Sequence, residues 1–133
     1  MNRLQYAISG QDADLLYATG FQAPDAFLYF EKGRRHFIAL NQLEYDRGRR
    51  QARADAVLNL SALARERRER RLPVETPDLI AEILRRHKIR HVTVSPSFPL
   101  GLAQELQRRN LRLEVAEPGL FPERRAKLPR EII

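Results

Sequence analysis

Three histidines and a scatter of carboxylates are the residues here whose types could hold a metal or move a proton. His87 and His91 stand four apart in "HKIRH", a spacing that on a helix presents two imidazoles to one zinc ion. The run passes from a helical pattern into the strand-like "HVTV" between them, so the two rings are expected to face different ways. His36 falls on a separate strand-like run, and no Glu sits between His87 and His91. Hydrogen-bonded or solvated imidazoles are therefore expected rather than ligands. Asp12 and Asp14 suit turn and capping roles. With no cysteine, disulfides and thiolate zinc sites are excluded. No GxGxxG, GxxxxGKS or GxSxG occurs, so no phosphate cradle is written. Residue types and spacing alone reveal no reaction centre, and no metal site is expected in this chain.

Two stretches could bind rather than react. "RERRERR" (65–71) is the strongest electrostatic feature. Its simplest reading is a solvated helix face in which Glu66 and Glu69 pair with Arg70 and Arg65. No aromatic is interleaved with it, as single-strand nucleic-acid binding needs. "YATGFQAPDAF" sets Tyr17, Phe21 and Phe27 around a Gly/Pro loop. Phe27 reads as core; Tyr17 and Phe21 read equally as core or as a ligand wall.

The elements that must position these residues follow from pattern. "AFLYF" (26–30) and "HFIAL" (36–40) flank "EKGRR", whose Gly33 supplies a turn residue, and so predict a β-hairpin. Both runs are apolar on both faces, as central strands of a covered sheet are. Leu4 to Ile8 predicts a short strand, and "ADLLYATGF" is ambiguous between helix and strand. "NQLEYDRGRRQARAD" predicts a polar helix weakened by Gly48, and "AVLNL" (56–60) a strand. Thr76 is a good N-cap before Pro77 and Asp78, with Leu79, Ile80, Ile83 and Leu84 as the buried face of the helix. A strand (91–95), a helix capped near Ser97 and an edge strand (111–115) complete the alternation. The expected fold class is α/β, a mixed β-sheet with helices on both faces.

At 133 residues, 43% hydrophobic and 31% charged, the chain has the size and balance of one soluble globular domain. A formal net charge of +7 invites a nucleic-acid partner, but only three of the 24 cations are Lys. That skew is as well explained by GC-rich coding, so nucleic acid is disfavoured. No apolar run is long enough to cross a bilayer, and the N-terminus lacks the apolar core of a signal peptide. A cytoplasmic location is the expectation.

The order of the pieces resembles a known family. "DADLLYATGF" is similar to the "N-x-x-Y-L-T-G-F" signature early in the N-terminal domain of the creatinase, prolidase and aminopeptidase P (M24) family. "AFLYFEKGRRHFIAL" followed by "NQLEYDRGRRQA" resembles the next stretch of bacterial Xaa-Pro peptidases. "ERRAKLPREII" resembles the junction motif "R-x-x-K-x-x-x-E-I", carried by Arg124, Lys127, Glu131 and Ile132. Ala18 and Pro129 depart from the pattern. The resemblance implies a ribonuclease H-like N-terminal α/β domain over 1–118 and a connector over 119–133, leading to a C-terminal catalytic domain beyond this chain. In the family that domain holds two divalent ions (manganese-type) through two Asp, one His and two Glu, and hydrolyses the bond before proline. The implied role here is non-catalytic: packing on the chain's own catalytic domain, supporting a homodimer, and narrowing access to short proline-containing peptides. Tyr17, Phe21, Gln22 and Asp25 would form the substrate-access loop. The alternative is a stand-alone Arg-rich nucleic-acid-binding or regulatory module.

Overall fold

The computed structural model describes residues 2–116 and 120–121. Six strands form one sheet: β1 (Arg3–Ala7), β2 (Phe27–Lys32), β3 (Arg35–Leu40), β4 (Ala56–Asn59), β5 (His91–Val94) and β6 (Arg112–Val115), in the order β4-β3-β2-β1-β5-β6. Only β2 runs against its neighbours; β1–β5, β3–β4 and β5–β6 are parallel. The mixed α/β sheet expected from the pattern is the one observed.

The hairpin forms where the aromatic runs predict it, tightened to a two-residue turn between Lys32 and Arg35. Gly33, at φ 63°, takes the left-handed position that such a turn requires. Alternation then splits the apolar runs between two cores. Leu28, Phe30, Phe37 and Ala39 face one side, where they meet α3 (Leu60–Glu69), α4 (Thr76–Arg86) and α5 (Leu100–Arg108) through Leu63, Ile80, Leu84 and Leu106. Phe27, Tyr29, Ile38 and Leu40 face the other side, against α1 (Ala13–Thr19) and the loop that follows it. These strands are central because they are apolar on both faces. β6 is mostly exposed and stands at the edge.

The ambiguous segment is a helix. The Asp12 carboxylate accepts from the Leu15 N–H at 2.8 Å as its N-cap, and Gly20 ends it at φ 60°. α2 (Gln42–Gln51) carries Gly48, and the reason for that glycine is packing. A Cβ there would overlap the side chain of Leu40, itself 1% exposed. The cap of α4 is shifted by one residue from expectation: Glu75 is the N-cap, and Asp78 accepts from its N–H at 3.1 Å. Pro99 rather than Ser97 precedes α5, and Ser97 hydrogen-bonds Ser95 at 2.8 Å instead.

The charged helix α3 also differs from a self-paired solvated face. Arg67 is buried and donates to the Glu82 carboxylate of α4 at 2.5 Å and to the Pro73 carbonyl at 2.7 Å. Glu66 pairs with Arg86 at 2.7 Å rather than with Arg70. Glu82 therefore gathers Arg67, Arg85 and Arg86. Helical spacing offered partners on the same helix, but the packing of α3 on α4 brought in nearer ones. Leu120 and Phe121 are 1% and 3% exposed and belong to the second core, so the packed domain includes them.

Candidate functional site

On the α1 side lies a groove of about 750 Å³ walled by Arg3, Tyr17, Tyr29, Arg34, His36 and Arg53. Tyr17 reaches it from α1, its ring centroid 5.9 Å from that of Phe121. The Tyr17 carbonyl accepts from Arg53 Nη2 at 2.8 Å. Gly20 makes that contact possible, because a Cβ would lie 2.9 Å from Arg53 Cζ. A glycine needed to end α1 thus also admits the guanidinium that ties the 53–55 segment to it.

Under the groove runs a buried polar network. The Tyr29 hydroxyl donates to Glu31 at 2.6 Å and lies 3.3 Å from His36 Nδ1. Glu31, only 4% exposed, also accepts from Arg3 Nε at 2.8 Å. Arg3 then donates to the Leu120 carbonyl at 3.2 Å and covers the Phe121 ring at 4.1 Å. A buried carboxylate is costly unless paired and hydrogen-bonded; here it has both. Asp55 accepts from the His36 N–H at 2.7 Å and fixes the rim. Aromatic walls with guanidinium groups can bind and orient a small polar molecule.

The four residues assigned to an access loop are not brought together. Tyr17 lines the groove; Phe21, Gln22 and Asp25 do not. Phe21 is 1% exposed, packed edge-on to Phe27 at 5.8 Å and capped by the Arg47 guanidinium at 4.3 Å. Its ring is part of the core, as is that of Phe27. Gln22 is exposed and its carbonyl accepts from Arg47 at 2.8 Å, while Asp25 is exposed on the bend beyond. Arg124, Lys127, Glu131 and Ile132 lie outside the described residues.

Arg3, Tyr29, Glu31, His36 and Arg53 were missed by motif reading. A signal for three of them existed: Tyr29 and Glu31 share one face of β2 by alternation, and the turn at Gly33 sets His36 opposite Glu31. His87 and His91 face apart as expected. The His87 ring packs on Phe30 and Phe37 at 5.1 and 4.9 Å, while His91 pairs with Glu114 at 3.3 Å. Among the described residues no three His, Asp or Glu side chains gather as metal ligands. No helix among them is long and apolar enough to cross a membrane.

No protein-family model matches the sequence, and no curated protein matches it. Solved structures do match the fold. The prolidase from Pyrococcus furiosus superposes with a TM-score of 0.61 at 9% identity, over 87% of this chain and 28% of its own. The Xaa-Pro dipeptidase from Bacillus anthracis gives 0.65 at 8%, over 86% and 28%. An Xaa-Pro aminopeptidase chain from Streptococcus pyogenes gives 0.61 at 12%, over 86% of this chain and 77% of its own. This chain therefore spans less than a third of the first two and most of the third. The α/β fold is one that Xaa-Pro peptidases carry as part of a longer polypeptide.

Proposed function

We propose that this chain is the non-catalytic N-terminal domain of an Xaa-Pro metallopeptidase. It packs on its own catalytic domain, supports a homodimer and helps to confine the active site to short proline-containing peptides. The observation that carries the proposal is one of coverage. Nearly all of this chain, but only 28% of the P. furiosus and B. anthracis enzymes, is shared. The junction residues Arg124, Lys127, Glu131 and Ile132, read from the sequence, support the same assignment. The two divalent ions expected of such an enzyme do not fit the described residues, which offer no clustered ligand set. They belong to the catalytic domain, where they would supply an activated water.

Within this role Tyr17 is the residue best placed to meet a peptide, because it is half-exposed on a groove with aromatic walls and cationic rims. Gln22 and Asp25, exposed on the loop beyond Tyr17, would offer polar contacts away from the groove, and the buried Phe21 would fix that loop from beneath. The test is hydrolysis of Xaa-Pro peptides of increasing length. The 133-residue chain with added manganese is expected to give no turnover. The polypeptide that contains it is expected to cleave tripeptides, and Tyr17→Ala in it to narrow the preference for short over long peptides about threefold or more. Unchanged length preference would remove Tyr17 from the access surface; turnover by the chain alone would contradict the non-catalytic role.

A further inference from the structure

The net charge of +7 is not spread evenly over the fold. Two cationic stretches far apart in sequence meet at one end of the sheet: "EKGRRH" at the β2–β3 turn and "RRHKIRH" between α4 and β5. Lys32 Nζ donates to the Lys88 carbonyl at 3.3 Å, and the Arg112 N–H donates to the Arg90 carbonyl at 2.9 Å, which brings the start of β6 to the same end. Lys32, Arg34, Arg35, Lys88, Arg90 and Arg112 are all exposed. None of the six has a carboxylate partner among the described residues. Nearby acids are already used: Glu82 by Arg67, Arg85 and Arg86, and Asp78 and Glu105 by Arg109. Like charges left together without counter-charge are a standing repulsion that an anionic partner relieves.

This band opens onto a groove of about 960 Å³, with Arg85, Lys88, Arg90 and Arg109 on its rim and Ile89 and Leu111 beneath. Arg85 is 69% exposed despite its bond to Glu82, so most of its donors remain available. No aromatic side chain lines the groove, which leaves bases no stacking platform. Asp78 stands in its wall with both carboxylate oxygens already accepting, one from Arg109 and the other from the Glu75 N–H.

We propose that this groove and its cation band dock an acidic peptide segment. Asp or Glu side chains would sit on Lys88 and Arg90, and aliphatic ones on the Ile89–Leu111 floor. The proposal stands independently of the peptidase assignment, since the groove it uses shares no lining residue with the Tyr17 groove, although Arg34 of the band also borders the latter.

The experiment is fluorescence anisotropy with the 133-residue chain and a labelled acidic peptide of about twelve residues carrying spaced leucines. An oligothymidylate of equal charge and a Gln-for-Glu peptide serve as competing probes. Lys88→Glu with Arg90→Glu is expected to weaken acidic-peptide binding about tenfold or more. Arg49→Glu with Arg50→Glu, an equal charge change on α2, is expected to cost less than about twofold. Lys32→Glu with Arg112→Glu, on the same band, should follow the first pair and guards against a folding defect in it; thermal melts check all three. Raising the salt should weaken binding, and the Gln-for-Glu peptide should not bind. Equal losses from both surfaces, no binding, or tighter binding of the oligothymidylate with the same mutational pattern would each overturn the proposal.

Discussion

Glu82 shows what one buried carboxylate does in this fold. Burial pushes its carboxyl up, but hydrogen bonds from Arg85, Arg86 and Arg67 outweigh that and hold it below the ordinary carboxylate value. Because the folded group titrates lower than the unfolded one, its stabilisation is complete above about pH 4.3 and is lost as acid protonates the folded carboxylate. Glu82→Gln is expected to destabilise by about 3 kcal/mol near neutral pH, since it leaves Arg67 buried beside a neutral amide. It should also flatten the acid limb of a urea-midpoint profile; an unchanged limb would put the acid sensitivity elsewhere. Gly48→Ala tests a second residue. The helix gains about 1 kcal/mol in propensity, while overlap with the enclosed Leu40 side chain costs about 1–3 kcal/mol. Packing wins where the neighbour has nowhere to go, so a net loss in the urea midpoint is expected. A net gain would mean that Leu40 repacks freely.

At the scale of elements, the β2–β3 hairpin is the feature on which both cores depend. Gly33 has nothing within 4 Å of an added Cβ, so Gly33→Ala isolates backbone strain at φ 63°. It should cost about 1 kcal/mol with no change in fold, read from denaturant midpoints at constant m-value. The hairpin was legible in the sequence because period-two alternation of aromatic residues and a turn glycine are local signals. The edge position of β6 was legible for the same reason, from alternating charge in "LRLEV". Local signals failed where the deciding contact was remote. Gly48 read as a helix weakness until Leu40 lay against it. Glu66 read as a partner for Arg70 until α4 brought Arg86 within 2.7 Å. Of the Tyr17 groove the motif reading found only Tyr17; alternation in the hairpin carried a signal for Tyr29 and His36, while Arg3, Arg53 and Phe121 reach it from segments with no common pattern.

For the whole molecule, two surfaces of different character share one sheet. The α1 side carries a groove with aromatic walls above a paired Arg3–Glu31–Tyr29 network; the sheet end near Lys88 and Arg90 carries exposed cations that have no carboxylate partner among the described residues. The solved structures of matching fold are Xaa-Pro peptidases, and this chain covers 28% of two of them and 77% of a third. The central proposal is that the chain works as part of a larger peptidase. It is tested most directly by isolating the native polypeptide that carries these 133 residues and measuring its length together with its manganese-dependent cleavage of an Xaa-Pro peptide. A longer polypeptide with proline-specific hydrolysis, lost when the following domain is removed, is the predicted result. A native polypeptide that ends at Ile133, or a longer one with no proline-specific hydrolysis, would contradict it.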